Sequence, residues 1–210
     1  MIAIIDYDIG NLGSVLKAFK YMGIEAVLTR KISDIKKADG IILPGVGAFG
    51  QGMINLREMG FEEVIKKEVA DGKPFFGICL GMQLLLDKSE EAEGIPGLGL
   101  IPGQVKKFSK EKVGKIPHMG WNQVEIICND PIFSGLNNED FYFVHSYYAF
   151  PEDDKYSIGK TVYGKTKFTS IMRKDNVWGM QCHPEKSSRV GLDVIKKFSE
   201  VVYDGDNTGN

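Results

Sequence analysis

The chain reads as an α/β protein: a central, mostly parallel sheet with helices on both faces and antiparallel additions. Three observations predict it. In the N-terminal part, apolar strand-like runs alternate with amphipathic helical stretches, the pattern of a parallel sheet covered on both faces. A glycine-flanked cysteine, Gly77-Ile78-Cys79-Leu80-Gly81, stands between an apolar strand and an apolar helix, as in a strand–turn–helix nucleophile elbow. Past the Gly/Pro-rich connection Gly94–Gly103, short strand-like runs replace the helices, which predicts antiparallel additions to the sheet and a small subsheet.

Ile2–Asp6 reads as a buried strand, and Asn11–Met22 as a helix with Leu12, Val15, Leu16 and Phe19 on one face. Ala26–Thr29 and Ile41–Leu43 are the next strands. Phe61–Ala70 has helical spacing, with Phe61, Val64, Ile65 and Val69 on one side. Phe75–Ile78 is the strand that enters the elbow, and Met82–Leu86 continues as a short helix. The later strands are expected at Val105–Phe108, Gln123–Ile127, Phe141–Val144, Ser157–Val162, Thr169–Met172 and Val177–Gln181, before a closing helix over Val190–Val202. These elements predict one domain over residues 1–203. The acidic tail 204–210 has nothing to bury and is expected to be disordered.

A chain of 210 residues with 43% hydrophobic content can bury a full core. Its net charge of −2 leaves no basic stripe for nucleic acid. No apolar stretch approaches the ~20 residues of a membrane span, and the start carries no basic signal-peptide region. Three cysteines without framework spacing suit a reducing compartment, so a cytoplasmic location is expected. Cys79, Cys128, Cys182 and His183 lack zinc-site spacing, and neither metal nor cofactor is expected.

Cys79 is the candidate nucleophile. The turn sets its sulfur at the positive end of the following helix, which favours the thiolate. The alternative is a small buried core cysteine. The backbone N–H of Leu80 points the same way as the sulfur and is a natural oxyanion donor. Far along the chain, Gln181-Cys182-His183-Pro184-Glu185 supplies either a satisfied structural histidine at a strand end or, at the sheet edge, a histidine as base with a carboxylate to orient it. On a strand, Cys182 would point away from His183. The turn Pro44–Gly50 lacks the signature of a phosphate loop. It is either a plain tight turn or the source of a second oxyanion N–H. Phe143–Tyr148 is either a solvated strand edge or a pocket wall for a polar substrate. Ile116–Asn122 shows neither helical nor strand period, and its Trp121 either fills the core or anchors an interface.

Together these segments resemble the class I glutamine amidotransferase family over nearly the whole chain before the tail. Gly-x-Cys-x-Gly-x-Gln and His-x-Glu are the shared motifs. Asp6-Tyr7-Asp8-Ile9-Gly10-Asn11-Leu12, Pro44–Phe49, Pro117–Asn122 and His183-Pro184-Glu185-Lys186-Ser187 narrow the likeness to glutaminase subunits that serve histidine biosynthesis. The resemblance implies glutamine as substrate and a (β/α)8-barrel cyclase subunit as heterodimer partner, which receives the ammonia by a protected route. It implies Cys79, His183 and Glu185 as the catalytic triad, and Leu80 with Gly45, Val46 and Gly47 as the oxyanion site. Gln83, Glu91, His145, Ser146 and Tyr147 fall where the family contacts glutamine. Pro117, His118, Met119, Trp121 and Asn122 fall on the partner-facing surface. The family often carries phenylalanine at the position of Cys182, a difference expected to alter packing rather than chemistry.

Overall fold

The computed structural model describes residues 1–10 and 12–204. Asn11, expected to open the first helix, and 205–210 of the tail lie outside the described residues. Asp204 is not part of a tail: it is the last residue of the closing helix.

One hydrogen-bonded sheet runs through the molecule. Its parallel half comprises β1 (Ile2–Ile5), β2 (Ala26–Thr29), β3 (Gly40–Leu43), β4 (Phe75–Ile78) and β12 (Val177–Met180), in the order β2-β1-β3-β4-β12. β1, β3 and β4 are fully buried and almost continuously Ile, Leu and Phe because both faces are covered. Strand alternation sends Ile42, Phe76 and Ile78 to one face, where they pack with Phe19 of α1 (Leu12–Tyr21) and Phe198 of α7 (Ser188–Asp204). Ile41, Leu43 and Phe75 go to the other face, beneath Met53 of α3 (Phe49–Glu58), Ile65 of α4 (Phe61–Ala70) and Met82 of α5 (Leu80–Leu84). The short α2 (Ile32–Lys37) adds Ile35 to that side.

Beyond β12 the pairing turns antiparallel through β11 (Thr166–Lys174), β10 (Ser157–Tyr163), β7 (His118–Ile126) and β8 (Glu139–His145). β9 (Tyr147–Pro151) joins β11 to β6 (Gly103–Lys107), and the two-residue β5 (Lys88–Ser89) lies beside β6. Among the described residues the remaining α-helix is the single turn α6 (Lys110–Val113), and two 3-10 turns lie at Asp154–Tyr156 and Pro184–Lys186.

The sequence missed α3, whose Phe49-Gly50-Gln51-Gly52 start has poor helix propensity. The glycines are there for packing: a Cβ on Gly52 would stand 3.2 Å from Leu84. The irregular segment expected at 116–122 is also corrected, since β7 begins at His118. Its polarity is inverted. His118 is buried, Met119 and Trp121 are exposed, and Asn122 is half-buried, so apolar periodicity gave no strand signal.

Candidate active site

Three neighbouring strands deliver the site at one edge of the sheet. β3, β4 and β12 are parallel neighbours, and each ends in a functional segment. β3 runs into Pro44–Gly47, β4 into Cys79, and β12 into Gln181–Glu185. The carboxyl edge of a parallel sheet is where α/β folds place their ligands.

Cys79 holds φ 55° and ψ −107° at the start of α5. A non-glycine residue at positive φ stores about 1–3 kcal/mol of strain and needs its surroundings to hold it. Its N–H donates to the Met180 carbonyl at 2.8 Å, and its carbonyl accepts from Gln83 N at 3.2 Å. Both flanking glycines are sterically required. A Cβ on Gly77 would lie 2.6 Å from the Gly81 carbonyl oxygen, and one on Gly81 only 1.8 Å from that of Leu43.

On one side of the sulfur stands His183, buried, with Nδ1 2.8 Å from Glu185 Oε1. A carboxylate only accepts, so Nδ1 carries a proton and Nε2 is the atom left for chemistry. Among the described residues Nε2 has no hydrogen-bond partner of good geometry. Burial by itself lowers the pKa of this imidazole. The Cys79 sulfur and the Glu185 carboxylate outweigh it and push the pKa up to about 10. The backbone is fixed as well: His183 N donates to Tyr142 O at 3.0 Å, and Ser187 Oγ donates to the His183 carbonyl at 2.6 Å.

On the other side lies the turn after β3. Here Leu80 N–H does not face the site free; it donates to the Gly45 carbonyl at 3.2 Å. Tyr7 packs beneath this turn with its hydroxyl buried and without a partner among the described residues. That hydroxyl would be 2.2 Å from a Cβ on Gly45. Burial and the nearby Cys79 both raise its pKa far above the usual phenol value.

A pocket of about 340 Å³ opens over the sulfur, lined by Val46, Gly47, Cys79, Leu80, Gln83, Glu91, Pro117, Val144, His145, Ser146 and Tyr147. All five residues expected at the substrate are on this wall. Glu91 is positioned by accepting from Phe49 N at 2.7 Å, and Gln83 by donating from Nε2 to the Tyr147 carbonyl at 3.0 Å. His145 is buried, and its Nδ1 lies 2.7 Å from the Tyr147 carbonyl.

The surface expected around 117–122 divides. Met119 and Trp121 are 59% and 53% exposed on the outer face of β7. Pro117 lines the pocket. His118 is corrected from surface to core: it stacks between Phe143 and Tyr163, with centroids 4.7 and 4.1 Å away. Its Nδ1 is 2.9 Å from His145 Nε2, and Asn122 Nδ2 is 3.1 Å from its Nε2. Burial lowers the His118 pKa to about 4. It does the same for His145, to about 3, helped by the charges of His118 and His183.

Strand alternation does not govern Cys182, because β12 stops at Met180. Its thiol is buried in the core. Burial, then the nearby Cys79 and Glu185 charges, holds its pKa well above the ordinary thiol value. Gln181 carried no functional expectation, yet its Nε2 lies 3.7 Å from the Cys79 sulfur. The one sequence signal for it is its place two residues before the histidine.

The family model for glutamine amidotransferase class-I matches residues 3–200, spanning every element of the site. The chain belongs to the class I glutamine amidotransferase family. It is 49% identical over 203 residues to imidazole glycerol phosphate synthase subunit HisH of Methanocaldococcus jannaschii, covering 96% of this chain and 100% of that one. It is 46% identical to the HisH subunit of Moorella thermoacetica, with 100% and 99% covered. Among solved structures, a glutamine amidotransferase superposes with a TM-score of 0.76 at 20% identity, covering 96% and 99% of the two chains. A chain of PurLQS from Thermotoga maritima does so with 0.74 at 22% identity, covering 96% and 98%. At these identities the structural likeness shows the amidotransferase fold.

Proposed function

We infer that this amidotransferase is the glutaminase subunit of an imidazole glycerol phosphate synthase, acting in histidine biosynthesis. Full-length identity to HisH subunits supports the pathway. The observation that carries the chemistry is the strained Cys79 facing a His183 that Glu185 holds at 2.8 Å.

In this reading the resting site is a thiolate–imidazolium pair. Cys79 Sγ attacks the side-chain carboxamide carbon of glutamine, and charge moves to the carbonyl oxygen. His183 Nε2 gives its proton to the departing nitrogen, the C–N bond breaks, and ammonia leaves a glutamyl thioester. Neutral His183 then takes a proton from water. The hydroxide displaces the sulfur, and glutamate is released with the ion pair restored. Glu91, Ser146, Tyr147 and the free Oε1 of Gln83 bind the amino-acid end.

The oxyanion needs donors from Leu80 and the Val46–Gly47 region. While the Gly45 carbonyl occupies Leu80 N–H, that pair is incomplete. Turning the Gly45–Val46 peptide frees one donor and brings in a second, each worth about 3 kcal/mol or 10²–10³ in rate. A (β/α)8-barrel cyclase docked over the exposed Met119 and Trp121 is the partner that turns it and takes the ammonia. Residues 1–203 act as one domain, supported by the continuous sheet, in the cytoplasm.

The test is Cys79→Ala. Glutamine hydrolysis should fall by at least about 10⁴-fold, while the complex still forms and runs the cyclase reaction on ammonium salt. Retained glutaminase activity in the purified variant would reject the nucleophile.

A further inference from the structure

We propose that Gln181 is a second positioning group for the nucleophile, its side-chain amide locked so that it donates a hydrogen bond to the Cys79 sulfur. The inference rests on Cys79 being the nucleophile.

The orientation of this amide follows from its neighbours. The Tyr147 carbonyl can only accept, so the Gln83 atom 3.0 Å from it is the NH2 group. That same nitrogen is 3.0 Å from the Gln181 side chain, and both its hydrogens are then donated. The Gln181 atom facing Gln83 is therefore the oxygen. Its nitrogen is turned to Cys79 Sγ, 3.7 Å away. A flipped amide would set two donors against each other and leave the sulfur facing a lone pair. Gln181 is fully buried, and its main chain is pinned by donation to the Ser170 carbonyl at 2.8 Å.

A buried N–H aimed at sulfur favours the thiolate over the thiol. Other groups facing Cys79 do not duplicate it. From the turn after β1, the Tyr7 hydroxyl makes no hydrogen bond to the sulfur; from the segment after β12 come the Cys182 thiol, and His183 with Glu185 behind it. Of these, only His183 brings positive charge. The Gln181 donor also approaches from a different residue than the His183 proton. It therefore stays on the sulfur after that proton has gone to the leaving ammonia, and it supports sulfur again as the thioester breaks.

The test measures the pH dependence of Cys79 alkylation by iodoacetamide in the full chain, followed by peptide mass spectrometry. A Cys128→Ser background removes the exposed thiol. Gln181→Met keeps the volume and removes the donor. Its apparent midpoint should rise by about one pH unit, making alkylation below the midpoint about tenfold slower, with thermal unfolding confirming a folded chain. Gln83→Met unlocks the amide without removing it, and should shift the midpoint in the same direction by less. An unshifted midpoint in folded Gln181→Met overturns the assignment. If that variant does not fold, an unshifted midpoint in folded Gln83→Met overturns it, and loss of fold in both also does, since the amides would then serve the core. A parent Cys79 that resists alkylation at every pH would instead overturn the glutaminase reading.

Discussion

The two sides of the Cys79 sulfur are built to different degrees. On the base side, Glu185 Oε1 holds His183 Nδ1 and Ser187 Oγ holds the His183 carbonyl, leaving Nε2 free for chemistry, and against burial the Cys79 sulfur and Glu185 push the imidazole pKa up to about 10. On the carbonyl side, the one donor adjacent to the sulfur is occupied by the Gly45 carbonyl, and the Tyr7 hydroxyl below the turn is unpartnered. In the proposed reading the nucleophile is thus ready and its oxyanion site is not. That reading places control of glutamine hydrolysis in one peptide group rather than in the proposed triad, which suits an enzyme whose ammonia is wasted without an acceptor.

The strongest way to break the contrast is to damage the finished side. Glu185→Gln keeps the shape but lets His183 adopt the wrong tautomer. Partner-activated glutaminase turnover should drop by about 10³–10⁴-fold, with docking unchanged in a binding titration. An activity within tenfold of the parent would show that Glu185 is structural.

The histidines behind the pocket give the next largest effect. Folding lowers the pKa of His118 to about 4 and of His145 to about 3. Below pH 6.5 the unfolded chain therefore binds protons that the folded chain refuses, and stability is lost as the pH falls. Between about pH 5.5 and 4.5, these two histidines should add an uptake of about two protons on unfolding to the denaturant titrations, about 2.7 kcal/mol per pH unit. His183 has the opposite sign: its contribution is full below pH 6.5 and disappears as the pH rises toward about 10. A flat acid limb would mean that His118 and His145 are accessible to protons in the folded state.

Trp121→Ala addresses what acts on the unfinished side. With its side chain half in solvent, the residue should cost little thermal stability. Affinity for the cyclase should fall about thirtyfold, equivalent to about 2 kcal/mol. A large drop in Tm with unchanged affinity would move the docking face elsewhere.

The smallest effect belongs to Tyr7→Phe. Deleting a buried hydroxyl without a partner should stabilise the isolated chain by about 1 kcal/mol, a Tm rise of about 2–4 °C. A fall in Tm would show that the hydroxyl is satisfied.

Legibility in the sequence tracked how directly physical chemistry ties residue type to place. The strands β1, β3 and β4 were readable because strands buried on both faces are runs of Ile, Leu and Phe. Cys79 was readable because so tight a turn tolerates only glycine at positions 77 and 81. His183 and Glu185 followed from their spacing. What escaped depended on contacts between distant segments. The glycines of α3 look like a loop until Leu84 is packed against them. β7 hides because His118 and Asn122 face inward to a polar network while Met119 and Trp121 face out. The role of Gln181 exists only through Gln83, 98 positions away, and the engagement of Leu80 by Gly45 is a rotational state that residue identity does not encode.

The closed oxyanion turn is tested by comparing initial rates of glutamate release from the isolated chain, its complex with the cyclase, and that complex saturated with the cyclase substrate. If the Gly45 carbonyl keeps the oxyanion site closed, the isolated chain will be nearly inert and the liganded complex at least about 10²-fold faster, the worth of one restored donor. Full turnover by the isolated chain, unchanged when partner and ligand are added, would contradict it.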